Sequence, residues 1–147
     1  MRRIDALLAD YGSYHRTRGN LTCHKVGITL ILFGLLSMLH TISVLGLWTA
    51  SELAIAAGFL YYLTLYPVLA FAILAAAALL DLTARSIGDG RVGAAAFVVG
   101  WLFQAIGHAI YEKNSPAFFK NLLHLMTGPI YLANEALHIR PAAGRSE

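Results

Sequence analysis

The stretch "LAIAAGFLYYLTLYPVLAFAILAAAALL", Leu53 to Leu80, decides the fold. It carries no charge and no polar face, so its helices cannot form the outer wall of a soluble bundle. Pro67 divides it, because proline has no N–H to continue a helix ladder and its ring crowds the preceding turn. The halves Glu52 to Tyr66 and Pro67 to Asp81 would each be about 22 Å long as helices, short for a hydrocarbon core of about 30 Å. A thinned bilayer, a kinked hairpin or a single tilted helix would each accommodate them. Working outward, the only charged residue between Val26 and Leu80 is Glu52, and roughly 20 apolar residues suffice for one crossing. Across the 147 residues, 58% are hydrophobic and 13% charged, about half the charge of an ordinary soluble domain. These features predict an all-α, polytopic helical membrane protein with about four transmembrane helices and an interfacial helix at each end.

We read residues 1–147 as one domain: an interfacial helix over 1–19, transmembrane helices over 21–111, and interfacial or re-entrant helices over 115–139. Ile4, Leu7, Leu8 and Tyr11 share one helix face, with His15 one step further along it. That face should lie on the bilayer surface. Gly19 is the expected stop and Asn20 the expected cap of the helix that enters the membrane. "TARSIGDGR", 83–91, reads as a polar loop before an apolar helix over Ala94 to Tyr111. Ser115 and Pro116 open the last segment, and Gly128-Pro129 interrupts it.

The net charge is +3, and Arg2, Arg3, Arg16, Arg18 and Lys25 precede the first span. Basic residues there favour a cytoplasmic N-terminus, and the alanine-rich composition and short loops suit a bacterial inner membrane. No basic stripe interleaved with aromatics points to nucleic acid. The single Cys23 excludes an internal disulfide and a cysteine-cluster zinc site. "IDALLADYGSYHR" is amphipathic and does not read as a cleavable signal.

Two groups of residues carry chemistry. In "SYHRTRGNLTCHK", 13–25, His15 and His24 flank Gly19-Asn20 at the mouth of the first span. In "AFVVGWLFQAIGHAIYEK", 96–113, Gln104, His108 and Glu112 recur every four residues as a polar stripe on an apolar helix. Ionisable groups inside a membrane gather at functional sites, and imidazole with carboxylate suits a metal. Taken with His15, His24 and Asn20, the stripe forms a plausible metal site of mixed nitrogen and oxygen ligands. His24 begins one span and His108 ends another, so a shared ion requires an even number of crossings between them, with Pro67 separating two of the four. His124 is a weaker candidate, since a basic interfacial face explains it as well. His40 should lie on the far side of the bilayer and His138 in a polar tail.

The segments "YHRTRGNLTCHKVGI", "WLFQAIGHAIYEKNSPAFFKNLL" and "GPIYLANE" resemble the small membrane 2-hydroxy fatty acid dioxygenase family of phytosphingosine breakdown. The similarity runs from about Leu8 to Glu135. It implies that His15, His24 and His108 are essential, that the cofactor is Fe(II), and that O2 is a co-substrate. Glu112 fills the family's glutamate position, and Asn20 and Gln104 fill polar positions beside the histidines. Arg16-Thr17 stands where an asparagine often follows the first histidine, and Thr29 where the family favours proline.

The implied reaction converts a long-chain 2-hydroxy fatty acid and O2 to the acid one carbon shorter, CO2 and water, which balances without a reductant. The acyl tail would lie among apolar helices of the membrane-embedded protein. Glu112 is open to three roles: metal ligand, general base, or a group that orients a ligating histidine. Lys113 either attracts the substrate carboxylate or snorkels to water. The rival readings are a b-type haem protein with His24 and His108 as axial ligands, and a non-enzymatic scaffold or transporter.

Overall fold

The computed structural model describes residues 3–113 and 123–139. Apart from short connectors and one small hairpin, their backbone is helical: α1 (Arg3–Ser13), α2 (Arg18–His40), β1 (Ser43–Val44), β2 (Trp48–Thr49), α3 (Ala50–Leu65), α4 (Pro67–Ile87), α5 (Gly90–Ile106), a π-helical turn (Gly107–Glu112) and α6 (Leu123–Leu137).

Local chemistry sets most boundaries. Thr17 caps α2 by accepting from the Asn20 N–H. Thr49 and Glu52 close a reciprocal capping box on α3. Tyr66 is extended, and Pro67 occupies the first turn of α4, where a missing N–H is harmless. Gly88 ends α4 at φ 66°, a left-handed conformation that glycine adopts without penalty. Asp89 then caps α5.

Pro67 therefore separates two helices rather than kinking one. Glu52 pairs with Arg85 at 2.8 Å, and the Phe59 and Phe71 rings lie 5.2 Å apart, so α3 and α4 form an antiparallel hairpin. The helices α2 and α5 are antiparallel too. Gly34 faces Gly93, Gly27 faces Gly100, and Asn20 faces Gly107, a seam with seven-residue spacing on both helices. Such small residues let helix backbones approach where apolar surface alone provides no drive, as in a membrane. Among the described residues, three helical stretches, Arg18–His40, Pro67–Ile87 and Gly90–Glu112, are long and apolar enough to span a membrane. The sixteen residues of α3 reach only about 24 Å.

Several boundaries differ from expectation. The first helix ends at Ser13, and Gly19 and Asn20 lie inside the first turn of α2. Thr17 caps in place of Asn20, which leaves the Asn20 amide free to turn inward. The polar "TARSIGDGR" is mostly helix, because Arg85 binds Asp81 four residues earlier and Glu52 across the hairpin. At the C-terminal end, α6 runs through Pro129 without a break. Proline leaves the carbonyl four residues back without a donor, and nearby the Tyr62 hydroxyl donates to the Met126 carbonyl at 2.8 Å. Ser115 and Pro116 lie outside the described residues.

The apolar face of α1 is not left to lipid. Ile4, Leu8 and Tyr11 are buried with Tyr62, Leu69, Ala70, Ile130 and Tyr131. Helices α1 and α6 thus cap the end of the bundle that holds the start of α2, the Tyr66-Pro67 junction and the end of α5.

Candidate metal centre

At this end, His15, His24 and His108 come together, all buried, with one ring nitrogen from each within 4.8 Å of the others. His15 lies in the connector between α1 and α2, His24 in α2, and His108 in the π-helical turn. The ring centroids are 4.3 Å (His15–His24), 4.9 Å (His24–His108) and 5.0 Å (His15–His108) apart.

Backbone carbonyls settle two tautomers. His15 Nδ1 lies 2.6 Å from the Tyr11 carbonyl, and His24 Nδ1 3.0 Å from the Asn20 carbonyl. A carbonyl only accepts, so each Nδ1 carries the proton and each Nε2 presents a lone pair. Those two Nε2 atoms face one another at 3.0 Å. Two lone pairs at that separation repel unless a cation sits beside both. Bonds of about 2.1 Å at a right angle on one ion would put two imidazole nitrogens about 3.0 Å apart. His108 Nδ1 is buried and has no partner among the described residues. The three residues therefore fit a metal ion. Burial pushes the His15 imidazole down to about 4, so it is neutral and available for ligation at neutral pH.

Glu112 stands outside this group. Its Oε1 accepts from the Arg16 N–H (2.7 Å), the Thr17 N–H (2.8 Å), the Thr17 hydroxyl (3.1 Å) and the Asn20 amide (3.2 Å). It holds the connector that carries His15 and the first turn of α2, where helix geometry favours a negative charge. The π-helical turn makes this split: its hydrogen bonds reach one residue further than those of an α-helix, so side chains leave α register. His108 meets the other histidines while Glu112 meets the connector. Asn20 is fully buried, and Gln104 is buried on the cavity wall.

The site has a second layer, of which the sequence marks only His124, as a weaker candidate. The Tyr11 ring stacks on His15 at 4.0 Å and 9°, and both Tyr131 and His124 lie against it, at 4.9 and 5.7 Å. His124 Nε2 is 2.8 Å from Asp10 Oδ2. The available signal was the seven-residue interval from His124 to Tyr131, which puts both on one face of α6. His40 ends α2 at the opposite end of the bundle.

From the histidines an apolar cavity of about 1200 Å³ extends between the helices. Ile28, Leu32 and Leu36 line it on α2, Gly58 and Tyr62 on α3, Ala76 and Leu80 on α4, and Phe97 and Trp101 on α5. His24 and Leu36 are both on its wall, a helix distance of about 18 Å.

Fold and site together define a class: an all-helical protein with membrane-length apolar helices and a buried three-histidine group at one end of an apolar cavity. A family model described as "2-hydroxy-palmitic acid dioxygenase Mpo1-like" matches residues 1–139, and the chain belongs to this Mpo1-like family. It is 31% identical over 137 residues to the 2-hydroxy-palmitic acid dioxygenase MPO1 of Saccharomyces cerevisiae, covering 88% of this chain and 77% of the relative. No solved structure matches it.

Proposed function

We propose that this protein is an Fe(II)-dependent dioxygenase that shortens a long-chain 2-hydroxy fatty acid by one carbon. The observation that carries the reading is the pair of Nε2 lone pairs 3.0 Å apart at one end of an acyl-sized apolar cavity, in a chain whose family description names a 2-hydroxy-palmitic acid dioxygenase. His15, His24 and His108 would hold the iron, which when bound supplies the capacity to activate O2 next to the substrate's head group. The Tyr11 and Asn20 carbonyls keep the Nε2 lone pairs of His15 and His24 exposed. Glu112 positions the connector, and Asn20 and Gln104 pack beside the histidines. The apolar walls hold the acyl tail and exclude water. The substrate's carboxylate end then lies at the histidines, which selects the bond between C1 and C2.

A haem reading fits less well. A macrocycle between His24 and His108 would have to enter between rings 4.9 Å apart, with His15 beside both. The basic residues at the histidine end, Arg16, Arg18, Lys25 and Lys113, favour placing that end in the cytoplasm.

The test is oxygen uptake by detergent-purified protein, stripped of metal and resupplied with Fe(II), on addition of 2-hydroxyhexadecanoic acid. Uptake that needs iron and yields the fifteen-carbon acid is expected, with His108→Ala reducing it at least about a hundredfold. Iron-independent uptake, or none with any 2-hydroxy acid, overturns the reading.

A further inference from the structure

His124 has no task in the reaction as described, yet it is buried on the cavity wall. Its Nε2 is 2.8 Å from the Asp10 carboxylate, which only accepts, so Nε2 carries the proton. In the neutral imidazole its Nδ1 then holds a lone pair, and that atom is buried and without a partner among the described residues. A buried acceptor left unsatisfied is unfavourable, and a ligand donor would relieve it. Tyr11 lies between His124 and His15, stacked on the latter, so the acceptor sits one ring away from the candidate metal ligands. A fatty acid bound with its head at the histidines offers few donors. Its ionised carboxylate has no proton to give and its tail has none. The 2-hydroxyl group does.

We propose that His124, oriented by Asp10, is a positioning residue that accepts a hydrogen bond from the substrate's 2-hydroxyl group and so distinguishes 2-hydroxy acids from unsubstituted ones. This rests on the substrate reading above. The pair resembles other carboxylate–histidine arrangements in which the acid fixes the tautomer and the imidazole presents its second nitrogen. Asp10 also ties α1 to α6, so the test separates recognition from stability.

The experiment is anaerobic binding of 2-hydroxyhexadecanoic acid and of hexadecanoic acid to the iron-loaded full chain in detergent, with thermal melting in parallel. His124→Phe is expected to weaken the 2-hydroxy acid about five- to tenfold and to leave hexadecanoic acid unchanged. His124→Asn, which places an amide oxygen near the Nδ1 position, is expected to restore most of the preference. A preference retained in His124→Phe, or equal weakening of both acids, overturns this proposal alone. Wild-type protein that binds the two acids alike overturns it together with the substrate reading beneath it.

Discussion

At the scale of single residues, Glu112 shows how one side chain changes meaning with its surroundings. In sequence it sits four residues after His108, at the spacing of a second metal ligand. In the structure its Oε1 is occupied by donors from Arg16, Thr17 and Asn20. An anchor and a ligand respond differently to substitution. Glu112→Gln keeps an acceptor oxygen for the connector, whereas Glu112→Ala removes it. We expect Glu112→Ala to lower iron affinity about ten- to a hundredfold, the usual effect of removing support behind a ligand, and Glu112→Gln to retain most of it. Iron per protein after dialysis checks this, and equal loss in both variants would identify Glu112 as a ligand. In the sequence His15 and His24 stand out by type, by their place at the start of the first span and by the family resemblance. Their tautomers depend on the Tyr11 and Asn20 carbonyls, which exist as partners only because of the local fold.

At the scale of elements, the decisive contact is the seam between α2 and α5. A Cβ at Gly107 would run into Asn20 Oδ1 and approach Cys23 Cβ to 3.0 Å. Gly107 also begins the π-helical turn that carries His108. A branched side chain there must push the two helices apart at the histidine end, and forced overpacking of this kind costs about 1–3 kcal/mol. Gly107→Val is therefore expected to reduce iron binding at least about tenfold while the helix content measured by circular dichroism stays near wild type. Undiminished binding would show that His108 reaches the site without the tight seam. The glycine spacing, 27 and 34 against 93, 100 and 107, was readable in the sequence. The antiparallel register that pairs these glycines was not.

At the scale of the whole molecule, four alternating helices return His24 and His108 to one end, as a shared ion requires, and leave an apolar cavity running away from them. Gly58 lines that cavity, and a Cβ there meets nothing within 4 Å, so the position tolerates a larger side chain at the tail's expense. Gly58→Trp should lower kcat/KM for 2-hydroxyhexadecanoic acid at least about tenfold, a loss of roughly 1.4 kcal/mol in transition-state stabilisation, while a shorter 2-hydroxy acid keeps near wild-type turnover. An unchanged chain-length profile would place the tail elsewhere. The sequence by itself determined the apolar helices, an interruption at Pro67 and the residue types at the site, because hydrophobic run length, proline chemistry and the scarcity of polar groups are local properties of the chain. Only the tertiary structure decided that α1 packs under α6 instead of on lipid, that α6 continues through Pro129, and that Asp10 and His124 join the site. It also decided that Glu112 turns to the connector. Those outcomes depend on which groups from distant segments are close enough to bond, and separation in space is not encoded in the spacing of residues along one helix.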